Sequence, residues 1–148
     1  MLCNVCQLDI AKISSLAESF YRLKIGRLVL AINSYRGSSA YSYVIARLNG
    51  EDRPAIIQSL LKVGVYDNDN ILTEIWIAEV SWYDHHQSKH HFGINSRTEI
   101  WSTVIERRTF IPVRFILSRF VHFQEKIKIG SMVDTVKMII PIPNKSLI

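Results

Sequence analysis

Four histidines fall within seven residues of the stretch SWYDHHQSKHHFG, Ser81 to Gly93. His85, His86, His90 and His91 raise two kinds of chemistry, metal ligation and proton transfer, and both need imidazoles that converge. If Trp82 and Tyr83 end one strand and HHFGI begins the next, a loop centred on Gln87 and Ser88 pairs His85 with His90 and Tyr83 with Phe92. His86 and His91 then face the other way, because successive strand residues alternate. That leaves two ligands at a loop tip, with Asp84 turned away and no cysteine close by, where a zinc site needs three or four at tetrahedral angles. A helical reading would bring His86 and His90 together at i, i+4, but the Glu of H-E-x-x-H is absent and DHHQSK is turn-like. The spacing favours an exposed hairpin tip, with no metal ligand assigned.

Cys3 and Cys6 have half the spacing of a zinc knuckle, and no second CxxC or CxxH follows at finger distance. They read as part of an exposed N-terminal extension, a metal site completed by a partner chain being the alternative. No serine lies in G-x-S-x-G, and no G-x-G-x-x-G or P-loop is present, so no nucleotide or other cofactor is expected. Asp67 and Asp69 sit among asparagines in DNDN and read as a solvated turn. The expectation is a protein without chemistry of its own.

Binding residues are a different matter. Trp76 and Trp82 alternate with Ala78 and Val80 and belong to a core, whereas Tyr83 and Trp101 are freer to line a surface groove, caging a methylated lysine or stacking on bases. Arg107 and Arg108, in IERRTF, read as a polar break between apolar stretches, a solvated loop whose guanidiniums can reach phosphate. These four residues, Tyr83, Trp101, Arg107 and Arg108, are the candidate binding set.

The elements that must position them follow from periodicity. In LDIAKISSLAESFYRL, Ile13, Leu16, Ala17, Phe20 and Leu23 recur at spacings of three and four, which predicts an amphipathic helix ended by Gly26. Beyond that glycine the period becomes two. RLVLAI and YSYVIARL alternate, with SYRGSS between them, and predict a hairpin; NGEDRP is the next break. AIIQSLLKVGVY fits helix and strand alike, and Val63, Val65 and Tyr66 tilt its end towards strand. After DNDN, ILTEIWIAEVSWY is the clearest strand, with Trp76, Ala78, Val80 and Trp82 on one face and a second face that is apolar at Ile75 and Ile77 and polar at Glu79 and Ser81. VRFILSRFVHF and VKMIIPI add two more strands. Short strands, polar turns and no βαβ rhythm predict a mainly β fold, a small strongly bent sheet or partly open β-barrel with an N-terminal helix. The division expected is a helical extension over residues 1–22 and a β domain over 23–148.

The 148 residues suffice for one core without staples, and 48% hydrophobic with 21% charged residues is ordinary for a folded globular chain. No apolar run approaches a membrane span, no basic segment precedes a long apolar one, and two cysteines three apart give no disulfide framework. An intracellular protein without a membrane partner is expected. Its net charge of +5 and pI near 9.4 suit an anionic partner, with Arg97, Arg107, Arg108, Arg114, Arg119, Lys126, Lys128 and Lys137 concentrating base in the second half.

EVSWYD, then TEIWST, then FIPVRFILSRFVHF resembles the second half of a bromo-adjacent homology (BAH) domain, in which a strand ending in Trp and an aromatic precedes an Asn-Glu-Leu-Phe type element and a Pro-containing stretch. The positions here are Trp82 and Tyr83, Glu99, Ile100 and Trp101, then Pro112, Ile116, Arg119 and Val121. The chain is also similar to BAH-like tails of expanded, transposon-associated protein families in fungal genomes, to which LKIG at 23–26 and SSAYSYVIARL add a first half, so that the resemblance runs from about Phe20 onward. It departs from the family at Asp84, His85 and His86, where Arg-Pro-Glu is usual, and at Ser118, Arg119 and Phe120, where Gly-Lys-Cys is usual, so no cage is carried over. The resemblance implies a bent β-barrel-like, non-enzymatic module that binds chromatin or other proteins, in the nucleus and within a mobile-element-derived protein. Its expected partner is a protein or chromatin peptide. The alternative is a nucleic-acid-binding domain using its basic second half on phosphate; a metal-dependent enzyme fragment is a third reading.

Overall fold

The computed structural model describes residues 13–34, 39–86 and 99–142, and among them every regular element other than two short 3-10 turns is a strand. The strands are β1 (Ile13–Phe20), β2 (Arg22–Ile25), β3 (Leu28–Ala31), β4 (Tyr43–Leu48), β5 (Glu51–Tyr66), β6 (Leu72–His85), β7 (Glu99–Pro112), β8 (Ile116–Ile129) and β9 (Met132–Pro141). Ser39–Tyr41 and Val113–Phe115 form the 3-10 turns. The mainly β, strongly bent architecture is as expected. No helix of the described residues is long and apolar enough to cross a membrane.

All pairings are antiparallel, and the order β5-β4-β8-β9-β7-β6 closes on itself because β6 also pairs with β5. Closure removes the edges that an open sheet would expose. β1 adds to the second half of β5 outside this ring, and β2 and β3 form a separate hairpin.

The N-terminal helix is not found: residues 13–20 are β1, running beside β5 with Phe20 opposite Leu60. Ala17, which a helix would bury, is exposed, and Phe20 reaches the core, against Trp76. The 3–4 spacing is real, but an unfilled edge on β5 supplies backbone hydrogen bonds that outweigh a weak helical preference. The predicted hairpin of RLVLAI with YSYVIARL also gives way. β3 pairs with β2, and β4 pairs with β5 and β8. NGEDRP breaks only at Asn49 and Gly50, and Pro54 lies inside β5 opposite Ile45. IERRTF is no loop but the middle of β7, paired with β6. The turn at 67–70 is as expected, with Asp67 Oδ1 accepting from the N–H groups of Asp69 (2.9 Å) and Ile71 (2.8 Å).

Burial divides into layers. Ile45, Ile56, Tyr83, Trp101, Phe120 and Ile139 form one cluster, a residue from each ring strand. The opposite faces contribute Val44, Ala46, Ala55, Ile57, Ala78, Val80, Trp82, Ile111 and Ile116 to a second cluster, over which Leu30 of β3 packs, with Leu23 and Leu28 against it. A smaller cluster joins Ile100, Val136 and Met138. β4 and β6 are thus buried on both faces, which is why their sequences lack clean alternation.

Asn49 and Gly50 have φ of +52° and +78°, the combination a two-residue turn needs to follow the strand twist. A Cβ at Gly50 would meet nothing within 4 Å, so its cost is purely conformational. Gly50→Ala should lower stability by about 1–2 kcal/mol, read as a reduced urea midpoint with an unchanged slope.

Candidate functional site

Tyr83 and Trp101 do not line a surface groove: Trp101 is fully buried and Tyr83 nearly so, both in the cluster shared by the six ring strands. Their surroundings explain why. The Arg53 guanidinium, from β5, lies 5.6 Å from the Trp82 ring and 5.9 Å from that of Trp101, and its Nη2 donates to the Tyr83 carbonyl at 2.6 Å. The His85 ring tilts against Trp101 at 4.9 Å and is held by Glu51, 2.5 Å away. Trp101 Nε1 donates to Glu99 at 2.9 Å, and Trp82 Nε1 to Thr109. These rings already face a cation, and it is the chain's own arginine. Burial, with Tyr43 close by, pushes the Tyr83 phenol up to about 12.

The described histidines diverge. His85 sits opposite Trp101 and reaches back to β5, while His86, buried, bonds Asp134 of β9 at 2.7 Å. Among the described residues no three His, Cys, Asp or Glu side chains gather as metal ligands. The expected pairings of His85 with His90 and Tyr83 with Phe92, the other two histidines of the cluster, and Cys3 and Cys6 lie outside the described residues. Arg108 is exposed on β7 with Nη1 3.6 Å from Glu79, which also accepts from Ser59 Oγ at 3.2 Å. An exposed pair of this kind adds little stability. Arg107 shares that strand, and its side chain lies outside the described residues. The four candidate residues therefore form no common surface: two are core.

A different feature has the shape of a site. β7 ends at Pro112 opposite Ile77, and the chain turns away through Val113–Phe115, so β6 continues past its partner. Among the described residues, Leu72–Trp76 pairs with β5 alone. Beside that stretch lies a groove of about 350 Å³ lined by Ile25, Glu74, Ile75, Trp76, Pro112, Val113 and Arg114. Trp76 is braced by Phe20 at 4.8 Å and by Lys62, 5.7 Å from its ring and 3.5 Å from Glu74. Leu72 and Ile25 stay about half exposed. Sequence reasoning passed over this groove; its trace was the run Ile75-Trp76-Ile77, apolar on both faces at the end of a strand, with a proline-interrupted apolar stretch elsewhere to meet it.

No family model, curated protein or solved structure matches the chain.

Two measurements follow. Trp101→Ala should cost about 3–5 kcal/mol, as for a large buried aromatic, and lower the thermal midpoint. The hydrogen bond from His86 holds the Asp134 carboxyl below its usual range. A depressed carboxyl stabilises the fold above its unfolded pKa, near 3.9, and that contribution is lost as pH falls through the lower folded value. Asp134→Asn should therefore be less stable than wild type at pH 6, with the difference shrinking to nothing through the acid range, as followed by urea midpoints in a pH series.

Proposed function

We propose that the protein is a non-enzymatic interaction module that takes an extended segment of a partner protein along the open edge of β6. The observation that supports this is the stretch Leu72–Trp76, which outlasts β7 and lies beside the apolar groove. Strand addition draws affinity from backbone hydrogen bonds and selectivity from pockets for alternate side chains. Here the backbone of β6 supplies the first, and Ile25, Trp76, Pro112 and Val113 the second, with Glu74 and Arg114 able to read a charge of either sign. The resemblance to BAH domains suggests the partner class, a chromatin peptide such as a histone tail, and with it a nuclear setting and a mobile-element origin; fold-level analogy is the support for these.

A second reading, contact with nucleic-acid phosphate, is favoured by one observation: Arg119, in the basic second half, lies over the Tyr41 ring and makes no ion pair with a described carboxylate.

Fluorescence anisotropy with a panel of labelled histone-tail peptides tests the first reading. A bound peptide should lose at least tenfold in affinity with Trp76→Ala, an effect of the size expected for an aromatic anchor, and much less with Arg108→Ala. A panel that does not bind, or binding indifferent to Trp76→Ala, would overturn it.

A further inference from the structure

We infer that the β8–β9 ribbon is a contact surface for the phosphate backbone of a nucleic-acid duplex, with Lys126, Lys128 and Lys137 as its cations. The inference rests on the nucleic-acid reading above and gives it a surface.

The ribbon is what two strands leave over once the ring has used them. Among the described residues β8 pairs with β4 only as far as Arg119 and with β9 from Phe120 to Ile129, while β9 pairs with β7 only from Val136 to Ile139. Residues 126–129 and 132–135 therefore form a two-stranded arm, closed by a turn in which Gly130 has φ of +60°. Its register sorts the charges. Residues directly opposite in an antiparallel ladder share a face, and successive residues alternate. Gln124↔Lys137, Lys126↔Thr135 and Lys128↔Val133 lie on one face. Glu125↔Val136 and Ile127↔Asp134 lie on the other, so both carboxylates of the ribbon are turned away from all three lysines.

The surroundings agree with that division. On the acidic face Asp134 bonds the buried His86, and Val136 and Met138 are packed with Ile127. The lysine face is open: Gln124, Lys126, Lys128, Val133 and Thr135 are exposed and Lys137 is partly buried. None of the described ion pairs takes any of the three lysines. At the ring end of this face Glu99, opposite Ile139, is engaged by the Trp101 indole. Strand rise sets Lys126 and Lys128 about 7 Å apart, and Lys137 stands diagonally from Lys126, about 7–8 Å away along the backbone. Three cations in a row repel one another, and an anion spanning them removes that cost. Burial draws the Lys137 ammonium below its ordinary value, and its charge is a second cause, after burial, of the lowered value of His122 on the same face.

Three features choose the anion. Lysine is a point charge rather than a fork that reads a base edge, which suits contact with phosphate irrespective of sequence. The face from Gln124 to Lys128 and from Val133 to Lys137 carries no aromatic ring, so a single strand would find no platform for stacking. The charge is also one-sided. A fluid anionic membrane closing around the tip would meet Asp134 and Glu125 as well, whereas a rigid duplex, with one charge per about 1.7 Å of its axis, meets one face.

The test uses the full chain and a fluorescein-labelled mixed-sequence DNA duplex of about 20 base pairs, with anisotropy across a KCl series. Wild type should bind with affinity that falls with salt. Lys126→Gln with Lys128→Gln should weaken binding at least tenfold at about 50 mM KCl and flatten the slope of log Kd against log[KCl] by about 1.8, two duplex contacts' worth. Lys24→Gln with Arg27→Gln removes the same charge from the β2–β3 hairpin and should change the affinity less than about threefold, with the slope kept. Lys126→Arg with Lys128→Arg should also keep the wild-type slope. All four positions are exposed, and unchanged thermal midpoints confirm that the variants fold. A wild type that binds while the two glutamine doubles fall alike, or while neither falls, overturns this surface and leaves the nucleic-acid reading standing. Tighter binding of the single strand than of the duplex does the same. A wild type that binds neither form at about 50 mM KCl, or that prefers vesicles containing phosphatidylserine, overturns both. None of these results bears on the β6 groove, which Trp76→Ala addresses.

Discussion

The backbone groups of β5 point to its two edges at alternate residues, and where those edges are buried the groups must be hydrogen-bonded. One edge is occupied by β6 from Tyr66 to Ala55, broken by a bulge between Ile57 and Ser59. The other is divided: β4 takes Glu51–Ile56 and β1 takes the stretch from Leu60 onward. The handover falls at Ile57. There the N–H donates to the Ser42 carbonyl at 2.9 Å and the carbonyl accepts from Asn33 N–H at 2.8 Å, while Ser42 Oγ donates to Asn33 Oδ1 at 3.3 Å. A strand this long cannot stay flat against two different neighbours, and the bulge adds the local twist that lets it bend from one to the other. Ring closure depends on that bend, since β6 must follow β5 to arrive beside β7.

Closure also accounts for the fate of the aromatic residues. A six-stranded ring has a narrow middle, and one inward residue per strand fills it: Ile45, Ile56, Tyr83, Trp101, Phe120 and Ile139. Trp101 therefore serves volume first. The guanidinium of Arg53 against Trp82 and Trp101 places a charge at the margin of this layer, and its bond to the Tyr83 carbonyl offsets the desolvation. Tyr83 and Trp101 are members of the packing that the fold requires, so an external cation would have to displace Arg53 to reach them.

Local signals carried much of this into the sequence. The Asp67–Asn70 turn was legible because an aspartate among asparagines caps its own backbone, and the face of Trp76, Ala78, Val80 and Trp82 because apolar residues recur there at every second position. Partner choice was not legible. Periodicity says which face a residue occupies, never which strand lies beside it, so YSYVIARL read as the mate of RLVLAI when its mates are β5 and β8. The same limit turned Ile13–Phe20 into a helix: the competing interaction was an edge of β5 some forty residues away in the chain. Tyr83 and Trp101 were misplaced for a related reason. Each has one polar neighbour in sequence, Asp84 and Ser102, yet in a strand that neighbour belongs to the opposite face and says nothing about burial. Arg107 and Arg108, read as a break, lie in a strand because two adjacent charges interrupt an apolar run without interrupting hydrogen bonding.

Surfaces able to engage a partner arise where the ring stops being self-sufficient. Strands of unequal length cannot all end together: β6 runs beyond Pro112, a residue with no N–H to continue the ladder, and leaves Leu72–Trp76 paired, among the described residues, with β5 alone. The β2–β3 hairpin, which has no place in the ring, is needed to cover the second core cluster, and packing it there carries Ile25 to the groove and Arg22 to Tyr41. The groove and the contact with Tyr41 thus owe a residue to the same four-residue strand. Ile25 and Arg22 sit at its two ends, so the hairpin that seals the core also determines what lies on either side of it. A shift of β2 along β3 by one residue would turn Leu23 out of the core and move both. The register Leu23↔Leu30, held by Leu23 against buried Leu30, is what makes core packing and surface chemistry a single constraint.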